Sequence, residues 1–344
     1  MAHIDMIDSN WIKFYNLYRS GNGNDLWFND QMDEFVKDNL PIGKLVQLRK
    51  FDSWNVFEAK EFKKLIENLL ISGGVSSDLV GQNSDEKSLP VVSKKYREQL
   101  LDDASMTYFR TAFTHVTEDA NNNYETLEFL GDLTFNKCVG WYLPRRFPQL
   151  FDPEATDILT RLKIFIIQSK QMGTLAEKVG FLKFIHYDPS SLEFKKTNTQ
   201  KILEDVFESC FGAIEWVLDS RLKIGVGYTI CYGIISKILD SEKYSLRFSD
   251  LVDAITRLKE IFDKFKYLGT IQYITIKESA PLLHVRIKQT MPNGHTRILG
   301  EAQDPHDLSS AKQSAAEQAI DILAREGIKH PDEGKYEKFC NLSN

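Results

Sequence analysis

Three carboxylates at helical spacing interrupt an apolar stretch in YETLEFLGD, Tyr124 to Asp132: they are Glu125, Glu128 and Asp132. At about 100° per residue, offsets of 0, 3 and 7 bring them within about 60° of one helical face. Like charges stacked in this way repel, so the arrangement costs stability unless a cation lies among them. Oxygen donors of this hardness suit Mg²⁺ or Mn²⁺. A second acidic pair, Asp205 and Glu208, stands three residues apart in KILEDVFESCFGAIEWVLD, where Ile202, Val206, Phe207 and Phe211 are available for burial. Either helix alone reads first as a solvated acidic face, and only their combination favours a metal pocket. If the two meet, Glu128, Asp132, Asp205 and Glu208 make a four-ligand acidic pocket.

The elements that must position these acids are dense helices. YREQLLDD and MTYFRTAFTHV lead to the polar loop TEDANNN, whose Asn-rich end can cap the acidic helix. Leu127, Phe129 and Leu130 occupy the packing positions of that helix, which is expected to end near Pro144 before RRFP turns the chain. Gly131 removes a side chain where another helix can approach closely, which fits a two-fold pairing. His115 reads either as a general base or as a structural histidine closing a helix end. Ahead of the second acidic pair, FKKTNTQK clusters Lys195, Lys196 and Lys201. Lys201 lies one helical turn before Asp205, so its ammonium either reaches the pocket or caps the helix start in solvent. VGYTICYGIISKIL then closes the helical domain.

These residues carry a resemblance. YETLEFLGD resembles the signature of the ribonuclease III endonucleases, and KILEDVFESCFGAI resembles their second acidic motif. FRTAFTHV and MGTLAEKVGFLKFI are similar to the family's helices before and between the motifs, in the right order. The resemblance implies an all-helical catalytic domain over residues 96–242 that forms a homodimer and cuts double-stranded RNA with Mg²⁺, for which Mn²⁺ can substitute. It implies Glu128, Asp132, Asp205 and Glu208 as metal ligands, with Asp132, Glu208, Lys201 and Glu125 as catalytic residues. It further implies 5′ phosphates and short 3′ overhangs on the products, and insertion of Phe129 into a partner, where an ordinary core Phe is the competing reading; the clustered Lys195 and Lys196, with Lys312 further on, are the candidates for RNA contact. The K-x-x-x-D placement of Lys201 looks most like the Dicer-type enzymes, in which such a lysine neighbours the scissile phosphate. The chain departs from the family before LTRLK, where Thr156 occupies the place of an accessory acid; Glu154 or Asp157 are the substitutes at hand. Catalytically silent relatives that serve structure or bind double-stranded RNA are the alternative, but such proteins lack at least one core acid, and all four stand here.

The chain has 344 residues, 42% of them hydrophobic and 12% aromatic, enough for two or three cores. No apolar run approaches the ~20 residues of a membrane span, and MAHIDMIDSNW has no secretory pattern, so a soluble intracellular protein is expected. Cys138, Cys210, Cys231 and Cys340 lie far apart, which suggests free thiols. Residues 1–72 read as short amphipathic helices in which Trp11, Phe14, Tyr15 and Tyr18 recur; core packing is the plain reading and base stacking the other. Residues 73–95 have the composition of a linker.

Residues 253–327 change character. One helix, three alternating strands with a Pro292-Asn293-Gly294 turn, and a last helix give an α-β-β-β-α order, which resembles a double-stranded-RNA-binding domain. The expected fold is therefore mainly α, with this small mixed domain following the helical one. Its last helix holds AKQSAA with Lys312, but Leu308 and Ser309 stand where that family has paired lysines. The segment carries ten Lys and Arg against ten Asp and Glu, and the whole chain a net charge of −6, where phosphate affinity favours basic surfaces. A protein contact competes with RNA binding as the role of this domain. Residues 328–344 read as a polar, flexible tail.

Overall fold

The computed structural model describes residues 56–76, 91–190, 199–276, 283–305 and 307–341. Trp11, Phe14, Tyr15, Tyr18, residues 77–90 of the expected linker, and Lys195 and Lys196 lie outside the described residues.

The helical part consists of α1 (Val56–Gly73), α2 (Asp103–Ala112), α3 (Glu125–Arg146), α4 (Thr156–Ile166), α5 (Ser169–Val179), α6 (Thr199–Arg221) and α7 (Val226–Asp240). In α3, Leu127, Gly131, Thr134, Phe135, Cys138, Val139, Tyr142 and Leu143 are buried at three- and four-residue steps, and the helix runs two residues past Pro144. By contrast α6 is buried almost all round from Ile202 to Ile214, Asp205 and Glu208 included, and it packs against α2, α3, α5 and α7. A chain of rings ties the core together: Phe62 to Phe113 at 4.9 Å, Phe113 to Phe181 at 5.0 Å, Phe181 to Phe207 at 5.9 Å, and Phe207 to Phe135 at 5.4 Å. Edge and tilted aromatic pairs of this kind add about 0.5–1.5 kcal/mol each beyond their burial.

The first core extends beyond 96–242 in both directions. Phe62, Ile66 and Leu70 of α1 are fully buried in it, and Val75 forms a parallel bridge with Val92, so residues on both sides of the expected 72/96 boundary share one core. The tail expectation fails as well. Glu333–Asn341 is a helix, α10, whose Tyr336 and Phe339 are 1% and 2% exposed within the first core, because two aromatics three apart give it an apolar face to bury.

The second core belongs to α8 (Ala254–Lys264), the antiparallel sheet of β1 (Thr270–Ile276), β2 (Leu283–Thr290) and β3 (Thr296–Asp304) in the order β1-β2-β3, and α9 (Leu308–Arg325). The expected α-β-β-β-α order is the observed one. Gly294, at φ 83°, turns β2 into β3 and donates its N–H to Met291 O at 2.9 Å. Ala311, Ala315, Ala316 and Ala319 line the buried face of α9, small enough to seat the helix directly on the sheet. Arg161 of α4 pairs with Glu260 of α8 at 2.9 Å, and His330 meets the other oxygen of Glu260 at 3.0 Å. Lys338 of α10 pairs with Glu154 at 2.9 Å, and Lys335 pairs with Asp157. Thus the two acids that could replace the missing accessory carboxylate are engaged by the C-terminal helix. All four cysteines are free thiols, three of them buried, and among the described residues no helix is long and apolar enough to cross a membrane.

Candidate active site

Gly131 and Gly212 explain how two acidic helices come this close. A Cβ built at Gly131 would lie 1.8 Å from the backbone oxygen of Glu208, and one at Gly212 would lie 2.0 Å from that of Leu127. Backbone touches backbone at this crossing, which only glycine allows. The close partner of Gly131 is therefore α6 of the same chain, and the expectation that this glycine serves a two-fold pairing is corrected.

The crossing brings Glu128 of α3 together with Asp205 and Glu208 of α6: one carboxylate oxygen from each lies within 4.8 Å of the others. Asp205 and Glu208 are 6% and 7% exposed, and Glu128 is half-buried. Asp132, the fourth expected ligand, lies outside this 4.8 Å group. Its Oδ1 accepts a hydrogen bond from Asn136 Nδ2 at 2.6 Å, and its charge is the largest influence on Glu208 after burial. Glu125, one turn before Glu128, is exposed and outside the group.

Burial and mutual repulsion push the carboxyls of the trio upward. Burial, then the Asp205 charge, pushes the Glu128 carboxyl up to about 7. Burial, then Asp132, pushes Glu208 up to about 8. Asp205 is also raised by burial, although Lys201 opposes the shift. Lys201 Nζ lies 2.7 Å from Asp205 Oδ1 and 3.2 Å from Glu204 Oε2. Burial pulls its ammonium down, but the bonds to Asp205 and Glu204 outweigh that and the net shift is upward. On the opposite side, the buried Tyr124 hydroxyl donates to Asp205 Oδ2 at 3.2 Å. Burial, then Asp205, raises the phenol far above its ordinary range, so it stays protonated as a donor.

The donor set fits a hard divalent cation. Oxygens around one Mg²⁺ at about 2.1 Å lie roughly 3–4 Å from one another, which falls inside the 4.8 Å that bounds the trio. Carboxyls pushed up by desolvation and each other are relieved by positive charge, and one lysine among these acids leaves the excess negative.

Other expected residues are scattered. Phe129 is 66% exposed and Leu133, one turn on, 56%, so Phe129 is not a core residue of the single chain. His115 is buried with its ring 5.7 Å from that of Tyr124, and Thr117 N donates to its Nδ1 at 3.1 Å in the loop beyond α2. Lys312 lies in the first turns of α9, far along the chain from the acids; the amides of Ser309 and Ser310 there are capped by Asp307 at 2.9 and 3.1 Å. Glu204, Asn136 and Tyr124 were not singled out from sequence. Glu204 and Asn136 sit at i+3 and i+4 from Lys201 and Asp132, a spacing that could have found them. Tyr124 is separated from Asp205 by 81 positions, and no local pattern links them.

A ribonuclease-III-like family model matches residues 106–219 of this chain. A protein of Invertebrate iridescent virus 6, provisionally named ribonuclease 3, is 32% identical over 287 residues, spanning 79% of this chain and 89% of its own length. Ribonuclease 3 of Lactobacillus acidophilus is 29% identical over 245 residues, or 67% of this chain and 98% of that protein. The double-strand-specific pac1 ribonuclease of Schizosaccharomyces pombe is 24% identical over 241 residues, 70% of this chain and 62% of its own.

Proposed function

The chain belongs to the ribonuclease III family, and on that premise we propose that it is an endoribonuclease that hydrolyses double-stranded RNA with divalent metal, Mg²⁺ in the first place. The observation that carries the reading is the convergence of Glu128, Asp205 and Glu208 within 4.8 Å, with the Asp132 charge acting on Glu208 from outside that group. These four residues would hold the metal. When bound, the ion supplies Lewis acidity and a water acidified toward neutrality for attack on phosphorus.

The chain's own residues do the rest. Glu128 and Glu208, protonated in part near neutrality, would lose those protons where a cation is held, so the site would change from partly neutral acids to a charged cage. Lys201, fixed by Asp205 and Glu204, holds a positive charge at the rim where the scissile phosphate lies, favouring the charge that builds on phosphate oxygens in the transition state. Glu125 faces solvent one turn from Glu128, where it accepts RNA-side contacts or outer-sphere waters. Phe129 and Leu133 form an exposed apolar face through which two chains pair, each site cutting one strand and leaving 5′ phosphates with short 3′ overhangs. The C-terminal domain is neutral, and Asp307 occupies the amides of α9 that would otherwise receive phosphate; grip therefore rests mainly on the helical domain, with Lys195 and Lys196 contributing.

The test is cleavage of long double-stranded RNA with Mg²⁺ or EDTA by the native chain and by Glu208→Gln. The native chain should cut only with the metal, and the variant should fold and elute as the native chain does while losing cleavage. Undiminished Mg²⁺-dependent cutting by the variant would refute the four-carboxylate site.

A further inference from the structure

Asp205 is gripped on both oxygens before any ligand arrives. Lys201 takes Oδ1 at 2.7 Å from the same helix, and Tyr124 donates to Oδ2 at 3.2 Å from the residue that opens α3. The second contact joins the two acid-bearing helices directly. It is also braced from behind: Tyr124 N donates to Thr114 O at 3.0 Å, its carbonyl accepts from Glu128 N at 2.8 Å, and its ring stands edge-on to His115. The loop ahead of α3 thus fixes one phenol, and the same residue's backbone starts the turn that carries Glu128.

We propose that Tyr124 is a positioning residue for the metal site: its hydroxyl locks the rotation of the Asp205 carboxylate, so that the remaining lone pairs of that group point at the space shared with Glu128 and Glu208. The inference rests on the metal reading above and adds a residue to it. A carboxylate held only by a lysine 49% open to solvent could swing toward that lysine and leave the trio. A buried phenol on a fixed backbone cannot follow it, and so opposes the swing. Partners that orient a ligand in this way are commonly worth about 10–100-fold in metal affinity. Asn136 treats Asp132 similarly, at 2.6 Å, but within one helix; Tyr124 acts across two.

Tyr124→Phe removes the hydroxyl and keeps the ring. Mn²⁺ binding to the full chain without RNA, followed by calorimetry, should weaken about tenfold, while the thermal midpoint in EDTA shifts little. Single-turnover cleavage should recover toward the native rate as Mn²⁺ is raised, which a general loss of packing would not permit. The Glu208→Gln chain is measured beside it. Native Mn²⁺ binding that Glu208→Gln abolishes and Tyr124→Phe leaves unchanged would overturn the positioning role alone. Native binding that Glu208→Gln also leaves unchanged would remove the metal reading and this inference with it.

Discussion

Replacing Gly131 by Ala perturbs the crossing on which the site depends. The new methyl carbon would lie 1.8 Å from Glu208 O, 2.4 Å from Glu208 C and 2.9 Å from Gly212 N. Non-bonded heavy atoms rest about 3.5 Å apart, so α3 and α6 must separate by about 1.5 Å, and all three obstacles are backbone atoms that cannot rotate away. Overpacking of this kind costs about 1–3 kcal/mol, against which the better helix propensity of Ala returns at most about 1 kcal/mol. A net loss of about 1–2 kcal/mol in urea denaturation is expected. The effect on chemistry is larger. Separating the helices draws Glu128 and Asp132 away from Asp205 and Glu208, whereas metal ligands tolerate only about 0.2 Å and a misplacement near 1 Å costs about 10²-fold. Single-turnover cleavage should therefore fall by about 10²-fold or more in chains that remain folded. Gly212→Ala, whose methyl would meet Leu127 O at 2.0 Å, should do the same from the other side. A Gly131→Ala chain of native stability and native cleavage rate would show that the helices are not held together at this point.

Lys201→Ala should slow the chemical step in single-turnover assays about tenfold or more with little change in RNA affinity, because its charge sits at the acids and not along a binding groove; a native rate would return Lys201 to a helix cap. Metal affinity should rise with pH through about 7 to 8, where Glu128 and Glu208 lose the protons that a cation must displace, and calorimetry in two buffers of different ionisation enthalpy should record proton release; an affinity flat from pH 6 to 8.5 would contradict those shifts. In metal-free protein both groups keep protons that the unfolded chain gives up near its ordinary Glu value, so their contribution to stability is fully present below about 4.5 and is lost as pH rises through 7 to 8; thermal melts in EDTA should decline from about pH 6 to 8.5, and Mg²⁺ should reverse the decline. Ending the chain after Gly327 should lower the melting temperature of the helical domain, since the buried Tyr336 and Phe339 are lost at about 3–5 kcal/mol for a fully buried ring; an unchanged melt would mean α10 adds nothing to that core.

Local periodicity made much of this molecule legible from its sequence. Glu128 and Asp132 on one helix, Asp205 and Glu208 on another, Lys201 one turn from Asp205, and the α-β-β-β-α order of residues 253–327 all follow from spacings of two, three or four, which the backbone geometry enforces wherever the chain folds. The same rule shows that Gly131 admits a close neighbour. Only the tertiary structure decided which neighbour, since a missing Cβ is equally open to a helix of the same chain or of another. It also decided that Glu125 stands in solvent while Glu128, one turn on, is half-buried, because burial depends on where α6 crosses. Residues 328–344 are polar on average, and average polarity hides two aromatics on one face of a nine-residue helix, whose burial requires a groove built by distant segments. Tyr124 and Asp205 meet across 81 positions, and a hydrogen bond between partners so far apart is fixed by packing, not by spacing.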